Sequence, residues 1–279
     1  MASHRRIVVR ALTWNLFHGR DHPPDPSLFT WRSRLLRRCE RGQSHAQVNV
    51  PLLDEFAGLL AAWDWQVALL QEAPPRWLRP LGTACRANGV SALTSRNLLA
   101  PVRAAAAQWN PDLIASNEGG SNIVLVRAPA QIVAVERRVL SRRPERRRLL
   151  LTRVRMADGQ MLIVANMHLS VPSTGNGHAE VLEAADHAVR FAGHEPLLFG
   201  GDLNLRPARE PRAFDDLRER HGLEQPTSPG AIDHLLARGV DEIAPPRALP
   251  PEKREVTGPG GLPLRLSDHA PVTATFVVR

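Results

Sequence analysis

"PLLFGGDLNLRP", residues 196–207, is the stretch on which the reading of this chain turns. Apolar residues run up to Gly200 and Gly201, and then a carboxylate, Asp202, and an amide, Asn204, stand two places apart. A short apolar run of this kind reads as a strand buried on both faces. Polar acceptors at its end belong where a sheet meets solvent. The two glycines remove side chains and let backbone approach a substrate just before Asp202. The two-residue spacing sets Asp202 and Asn204 on one side of an extended segment, within reach of one water or phosphate.

The same arrangement recurs along the sequence. "IVVRALTWN" (7–15) is a strand-like run ending at Asn15, and "WQVALLQE" (65–72) ends at Glu72. "SNIVLVR" (121–127) carries Asn122, and "GQMLIVANMHLS" (159–170) carries Asn166 and His168 near its end. Asp233 lies in "AIDHLLARG", while Asp268 and His269 precede the apolar part of the final run, "APVTATFVV". Two further strand-like runs are "AQIVAVERRVL" (130–140) and "RRLLLTRVRM" (147–156), the latter joined to its successor by an "ADG" hairpin turn. Helical stripes fall at Leu52, Leu53, Phe56, Leu59, Leu60 and Trp63, and again between 179 and 192. "PARE" at 207–210 reads as the opening of another helix, through about Arg220. Residues 22–50 read as a loop with a short helix, and the Pro/Gly-rich stretch 245–263 as a surface loop. No repeat or linker divides the sequence. The expectation is one domain over 1–279, of α+β class: a four-layer α/β/β/α sandwich of two mixed sheets flanked by helices.

Composition bounds the partners. The formal net charge is +8, which suits a polyanion such as nucleic acid or an acidic membrane surface. Lys253 is the one lysine among 36 basic residues, so arginine-rich coding explains the charge equally well. No apolar run approaches the roughly 18 residues of a transmembrane helix. Cys39 and Cys85 are isolated and fit reduced thiols, and no signal-type apolar segment precedes the first strand. These features imply a cytoplasmic protein.

Carboxylates gathered at strand ends are costly to bury without a cation or hydrogen-bond donors. Oxygen donors without clustered cysteines favour Mg²⁺ or Mn²⁺ over zinc. Histidines beside such a cation suit phosphate chemistry, where charge on phosphoryl oxygens must be neutralised and a water oriented.

The blocks "TWNLFHG", "LLQE", "SNIVLVR", "NMHLS", "GGDLNLRP", "IDHLLARG" and "LSDHAPV" resemble, in order, those of the endonuclease/exonuclease/phosphatase superfamily, which includes pancreatic-type deoxyribonuclease and neutral sphingomyelinases. The resemblance implies that Glu72 is the principal metal ligand, with Asn15 and Asp268 close to the cation. It implies that Asp202 positions the attacking water and that Asn204 holds Asp202 and a phosphate oxygen. His269 takes the role of phosphate-binding histidine, Asp233 orients it, and His168 is a second phosphate clamp or general acid. Asn122 and Asn166 join His168, Asn204 and His269 as substrate-binding candidates. The chain contains no tyrosine, which disfavours the abasic-site branch, and Phe199 stands where the phosphoinositide phosphatase branch has tryptophan.

The expected function is Mg²⁺-dependent hydrolysis of phosphodiester bonds in DNA or RNA by in-line attack of an activated water. The alternatives are a phosphodiesterase or phosphatase acting on a lipid headgroup or small phosphoester, and a catalytically silent nucleic-acid-binding protein. Two arginine clusters, Arg137 to Arg148 and Arg32 to Arg41, read as solvated faces or as phosphate-tracking patches. His18, close to Asn15 in the sequence, reads as a surface imidazole, with a substrate contact as the alternative.

Overall fold

Strands that are apolar on both faces need cover on both faces, and the computed structural model supplies it with two stacked sheets and two outer helical layers. Residues 7–143, 145–173 and 177–278 are described. Pro144 at the arginine-rich turn, residues 1–6 ahead of the first strand and Arg279 lie outside them.

In chain order the elements begin with β1 (Ile7–Asn15), α1 (Trp31–Leu36), β2 (Glu40–Arg41), β3 (Ala46–Gln47), α2 (Leu53–Ala62), β4 (Val67–Ala73), α3 (Leu78–Cys85) and β5 (Ala87–Leu93). Next come α4 (Ala100–Trp109), α5 (Pro111–Glu118), β6 (Ser121–Arg127), β7 (Gln131–Ser141), β8 (Arg147–Arg155), β9 (Met161–His168), α6 (Gly177–Ala192) and β10 (Leu197–Asp202). The last group is α7 (Pro211–His221), β11 (Asp233–Arg238), β12 (Val240–Ala248), β13 (Glu255–Thr257), β14 (Pro263–Arg265) and β15 (Val272–Val278).

One sheet has the order β12-β15-β1-β4-β6-β5 and the other β11-β10-β9-β8-β7. Both are mixed, with β1 parallel to β4 and β9 parallel to β10 among antiparallel neighbours. Alternation along each strand divides the core into three. Leu149 and Leu151 of β8 pack with α6 and α7, whereas Leu150 and Val154 face Val9, Leu69 and Val124 of the other sheet. Leu12, Trp14 and Leu70 pack outward with Phe56, Leu60 and Leu81 of α2 and α3. Three apolar interfaces between four layers give the sandwich the strand patterns imply.

Two expectations change. The helix read from "PARE" begins four residues later, at Pro211. The supposed loop at 245–263 contains the end of β12 and all of β13, and β14, its hairpin partner, begins at Pro263. Among the described residues β12 pairs only with β15, and it carries two bulges, between Glu242 and Ala244 and between Ala244 and Arg247. An edge strand with bulges tolerates Pro245 and Pro246, which an inner strand would not.

The glycine pair also has a different cause from the one its sequence implies. A Cβ on Gly200 would sit 2.1 Å from the His234 carbonyl oxygen, and one on Gly201 would sit 2.0 Å from that of Met167. Gly201 further adopts φ +128°. The pair lets β10 lie between β9 and β11, and substrate approach is not what requires it.

At the mouth end of the sandwich the apolar inter-sheet layer gives way to amides. Asn166, fully buried, donates to the carbonyls of Leu70 (3.1 Å) and Ile123 (2.8 Å) and accepts from Gln71 Nε2 (2.8 Å). Asn122, equally buried, donates to the Arg148 carbonyl (2.8 Å) across the sheets. Both residues, taken from the sequence as substrate contacts, are ties between the sheets beneath the site. Asn166→Ala removes three buried hydrogen bonds and should destabilise the fold by about 2 to 4 kcal/mol. Urea unfolding with unchanged slope and a lowered midpoint checks this, and an unmoved midpoint would contradict it.

Candidate active site

Asn15, Glu72, His168, Asp202 and Asp233 arrive at one rim because each lies at or next to a strand end there, and His269 joins them from the segment between β14 and β15. β10 stops at Asp202 beside His168 of β9 and Asp233 of β11 in register, which puts three polar side chains on adjacent strand ends. β1 and β4 bring Asn15 and Glu72 from the facing sheet.

Two of these side chains are re-aimed by local backbone. Strict alternation would turn Glu72 to the outer face, since Gln71 points between the sheets. A register shift between Leu70 and Ala73 and φ +48° at Glu72 swing its carboxylate to the rim instead. Asn204 lies beyond the end of β10 with φ +53°, so the extended segment expected around Asp202 and Asn204 is not formed. Asp202 Oδ1 accepts the Asn204 backbone N–H at 3.0 Å, closing an Asx turn, and the Asn204 amide donates to the Leu169 carbonyl at 2.9 Å.

The contacts form a continuous chain. Asn15 Nδ2 donates to Asp202 Oδ2 at 3.0 Å. His168 stands between the two carboxylates, with Nε2 3.5 Å from Asp202 Oδ2 and Nδ1 3.7 Å from Glu72 Oε1. His18 Nε2 lies 3.2 Å from Glu72 Oε2. His269 Nδ1 is bonded to Asp233 Oδ2 at 2.7 Å, and its Nε2 points at Asp202 Oδ2 and Asp268 Oδ1, each 3.8 Å away. Ser267 holds this segment in place: its hydroxyl donates to the Asn15 carbonyl (2.6 Å) and accepts the His269 N–H (3.0 Å). Trp14 Nε1 donates to the His269 carbonyl at 3.0 Å.

Burial and neighbouring charge set the protonation states. Burial, with the Asp233 carboxylate alongside, raises Asp202 to about 7 against the pull of His269 and the Asn15 amide. Burial works against a charged His269, but Asp233, Asp202 and Asp268 outweigh it and lift the imidazole to about 10. Burial and Arg147 drive His168 down to about 3, so it is neutral at pH 7. Burial also lowers His18. For Glu72 burial is opposed by the nearby imidazoles and the Asn15 amide, which hold the carboxyl at about 2. The rim imidazole carrying charge at pH 7 is therefore His269, while His168 contributes none.

The donor set fits a hard divalent cation. Glu72 is ionised, Asp202 and Asp233 crowd one another, and Asp233 Oδ1 is buried without a partner. Asp202, Asp233 and His269 offer ligand atoms within 4.8 Å of one another. Because His269 Nδ1 already binds Asp233, this trio acts first as a hydrogen-bonded acid–imidazole pair facing Asp202. Asp268 is the most exposed carboxylate of the group, its side chain 33% exposed.

Several lining residues escaped the sequence reading. A pocket of about 40 Å³ beside Glu72 and His168 is lined by His18, Arg96, Glu145, Arg146 and Arg147. His18 is thus a member of the rim rather than a surface imidazole, its side chain 14% exposed. Glu145 pairs with Arg96 (2.6 Å) and Arg147 (3.1 Å), holding two guanidinium groups at the pocket. Of the long arginine cluster, Arg137, Arg138, Arg142 and Arg143 are exposed, while Arg146 and Arg147 turn inward. Arg32, Arg34, Arg37, Arg38 and Arg41 are exposed. Position within the block "TWNLFHG" was the one sequence signal for His18; Arg96 had none.

The fold is similar to an endonuclease/exonuclease/phosphatase family protein of Bacteroides thetaiotaomicron, with TM-score 0.63 and 14% identity over 99% of this chain and 100% of that one. It is similar to D. rerio TDP2 complexed with single strand DNA product, with TM-score 0.58 and 17% identity over 96% of this chain and 98% of that one. The Bacteroides thetaiotaomicron mannosyl-6-phosphatase Bt3783 gives TM-score 0.63 and 13% identity over 96% and 99%. At such identities these likenesses speak to fold alone. A search of curated proteins finds no match. Among the described residues no helix is long and apolar enough to cross a membrane. The model of the Endonuclease/Exonuclease/phosphatase family matches residues 12–269. A family match over nearly the whole chain, on a sandwich whose strand ends converge in one acidic and imidazole-bearing rim, makes this chain a member of the endonuclease/exonuclease/phosphatase family and a metal-dependent phosphoester hydrolase.

Proposed function

We propose that the chain is a single catalytic domain that hydrolyses phosphodiester bonds with Mg²⁺ (or Mn²⁺), and that nucleic acid is its substrate. The observation that carries this reading is the contact chain from His18 through Glu72, His168 and Asp202 to His269. Glu72, Asn15 and Asp268 are the proposed cation ligands; when bound, the cation offsets charge on the phosphoryl oxygens. Asp202, raised to about 7, takes the proton of the attacking water, and the Asn15 and Asn204 contacts fix its orientation. His269, held charged by Asp233, donates to a phosphoryl oxygen as charge grows there. Neutral His168 bridges the two carboxylates and offers a hydrogen bond rather than a charge. Arg146 and Arg147 line the approach and favour an anionic substrate.

Plasmid DNA and bis(p-nitrophenyl) phosphate are the test substrates. Both should be cleaved with Mg²⁺, lose cleavage with EDTA and regain it when Mg²⁺ is restored in excess. Turnover untouched by the chelator would contradict the proposal. Release of p-nitrophenol with intact DNA and RNA would remove the nuclease part.

A second reading, a phosphoester presented at a lipid surface, is favoured by one feature. Trp31, Leu35 and Leu36 of α1 and Val102 and Trp109 of α4 are more than half exposed, beside Arg32, Arg37 and Arg38. Hydrolysis of sphingomyelin vesicles in preference to DNA would select it.

A further inference from the structure

Next to the catalytic pocket lies a larger cavity of about 310 Å³, lined by Arg20, Phe29, Thr30, Arg34, Asp112 and Ser116 among others. Ser116 lines both spaces, so they adjoin. Arg20 stands two residues beyond His18 in the same turn. The turn is pinned, because a Cβ on the intervening Gly19 would lie 2.2 Å from the Trp77 ring.

Arg20 is half-buried, with its guanidinium 4.0 Å from the Phe17 ring centroid. Its side chain makes no hydrogen bond or ion pair with any described residue, and Nε is buried without a partner. The Arg34 side chain, exposed at the cavity rim, is also unpaired among the described residues. Asp112 is not the missing partner: it lies outside ion-pair range, and its Oδ2 accepts from Gln47 Nε2 (2.7 Å) and Ser33 Oγ (3.4 Å). Burial works against the charge on Arg20. A guanidinium kept charged, partly dehydrated and unpaired is costly unless an anion completes it, and its planar fork suits phosphate.

We propose that this cavity is a subsite for a second phosphate of the substrate, held by Arg20 and Arg34 while the phosphate under attack occupies the catalytic pocket. The proposal rests on the hydrolase reading above and adds to it a requirement on the substrate. That second phosphate belongs either to the next nucleotide of a strand or to a small diphosphorylated molecule.

The test compares thymidine 5′-(p-nitrophenyl phosphate) with the same ester bearing a 3′-phosphate. Wild-type kcat/KM should favour the 3′-phosphorylated ester by about 10- to 100-fold, the worth of a charge-assisted hydrogen-bonded contact. Arg20→Met and Arg34→Met should each reduce that preference, mainly through KM, and leave kcat on the unphosphorylated ester within about twofold. Absence of any wild-type preference, or an equal loss on both esters in both variants, would overturn the subsite. If neither ester releases p-nitrophenol with Mg²⁺, the hydrolase reading fails and calorimetry judges the subsite alone. Thymidine 3′,5′-bisphosphate binding weakened about tenfold or more by Arg34→Met upholds it, and unchanged binding overturns it. Competition by a short oligothymidylate as strong as by the bisphosphate assigns the second phosphate to a strand. Its failure to compete assigns it to a small molecule.

Discussion

Asp202→Ala is expected to lower kcat on bis(p-nitrophenyl) phosphate by about 10²- to 10⁴-fold while the protein stays folded. Asp202 is the point where the contacts of both sheets meet: the Asn15 amide, the His168 and His269 imidazoles and the Asn204 N–H all address its two oxygens. Its elevation to about 7 makes it a base suited to neutral solution, whereas an ordinary aspartate is too weak to accept a proton from water effectively. The penalty falls on kcat because the proton transfer belongs to the transition state. Stability should change little, since relief of the carboxylate's crowding against Asp233 offsets the hydrogen bonds lost from the Asn15 amide and the Asn204 N–H. Steady-state kinetics with a thermal melt separate the two effects. A variant within threefold of wild type in kcat would remove Asp202 from the chemistry.

His269→Ala is the second large effect, about 10²- to 10³-fold in kcat, the usual cost of deleting one donor to a developing oxyanion. Asp233→Asn acts through the same imidazole. Its 2.7 Å bond to Nδ1 fixes the ring and keeps it charged, so the double variant should be no worse than His269→Ala alone. Additive losses would mean that Asp233 has a separate part. The partnerless Asp233 Oδ1 identifies the atom through which such a part would act.

Much of this site was legible because strand ends leave a simple mark: an apolar run that stops at a polar residue. Asn15, Glu72 and Asp202 each carry that mark, His269 stands just ahead of an apolar run instead, and the fold turns those scattered positions into neighbours. Asn166 lies near such an end and Asn122 at the start of its strand, yet both tie the sheets together. A buried amide satisfying carbonyls and an exposed amide awaiting substrate look identical in sequence. The glycine pair misled in the same way, since Gly200 and Gly201 answer to the His234 and Met167 carbonyls of adjacent strands. His18 and Arg96 were harder still. His18 sits in a turn at φ +54° and Arg96 in a loop at φ +64°, where no periodicity indicates which way a side chain faces. Edge strand β12 was hidden by its prolines, which only an edge position permits.

The central claim is that a divalent cation binds at the Glu72 rim, with Asp202 and His269 facing the same phosphoryl group. Anomalous diffraction from crystals soaked in Mn²⁺ tests it most directly. A strong anomalous peak bonded to the Glu72 carboxylate, lost in Glu72→Gln, is the expected result. A peak elsewhere, or one that survives Glu72→Gln, would contradict it.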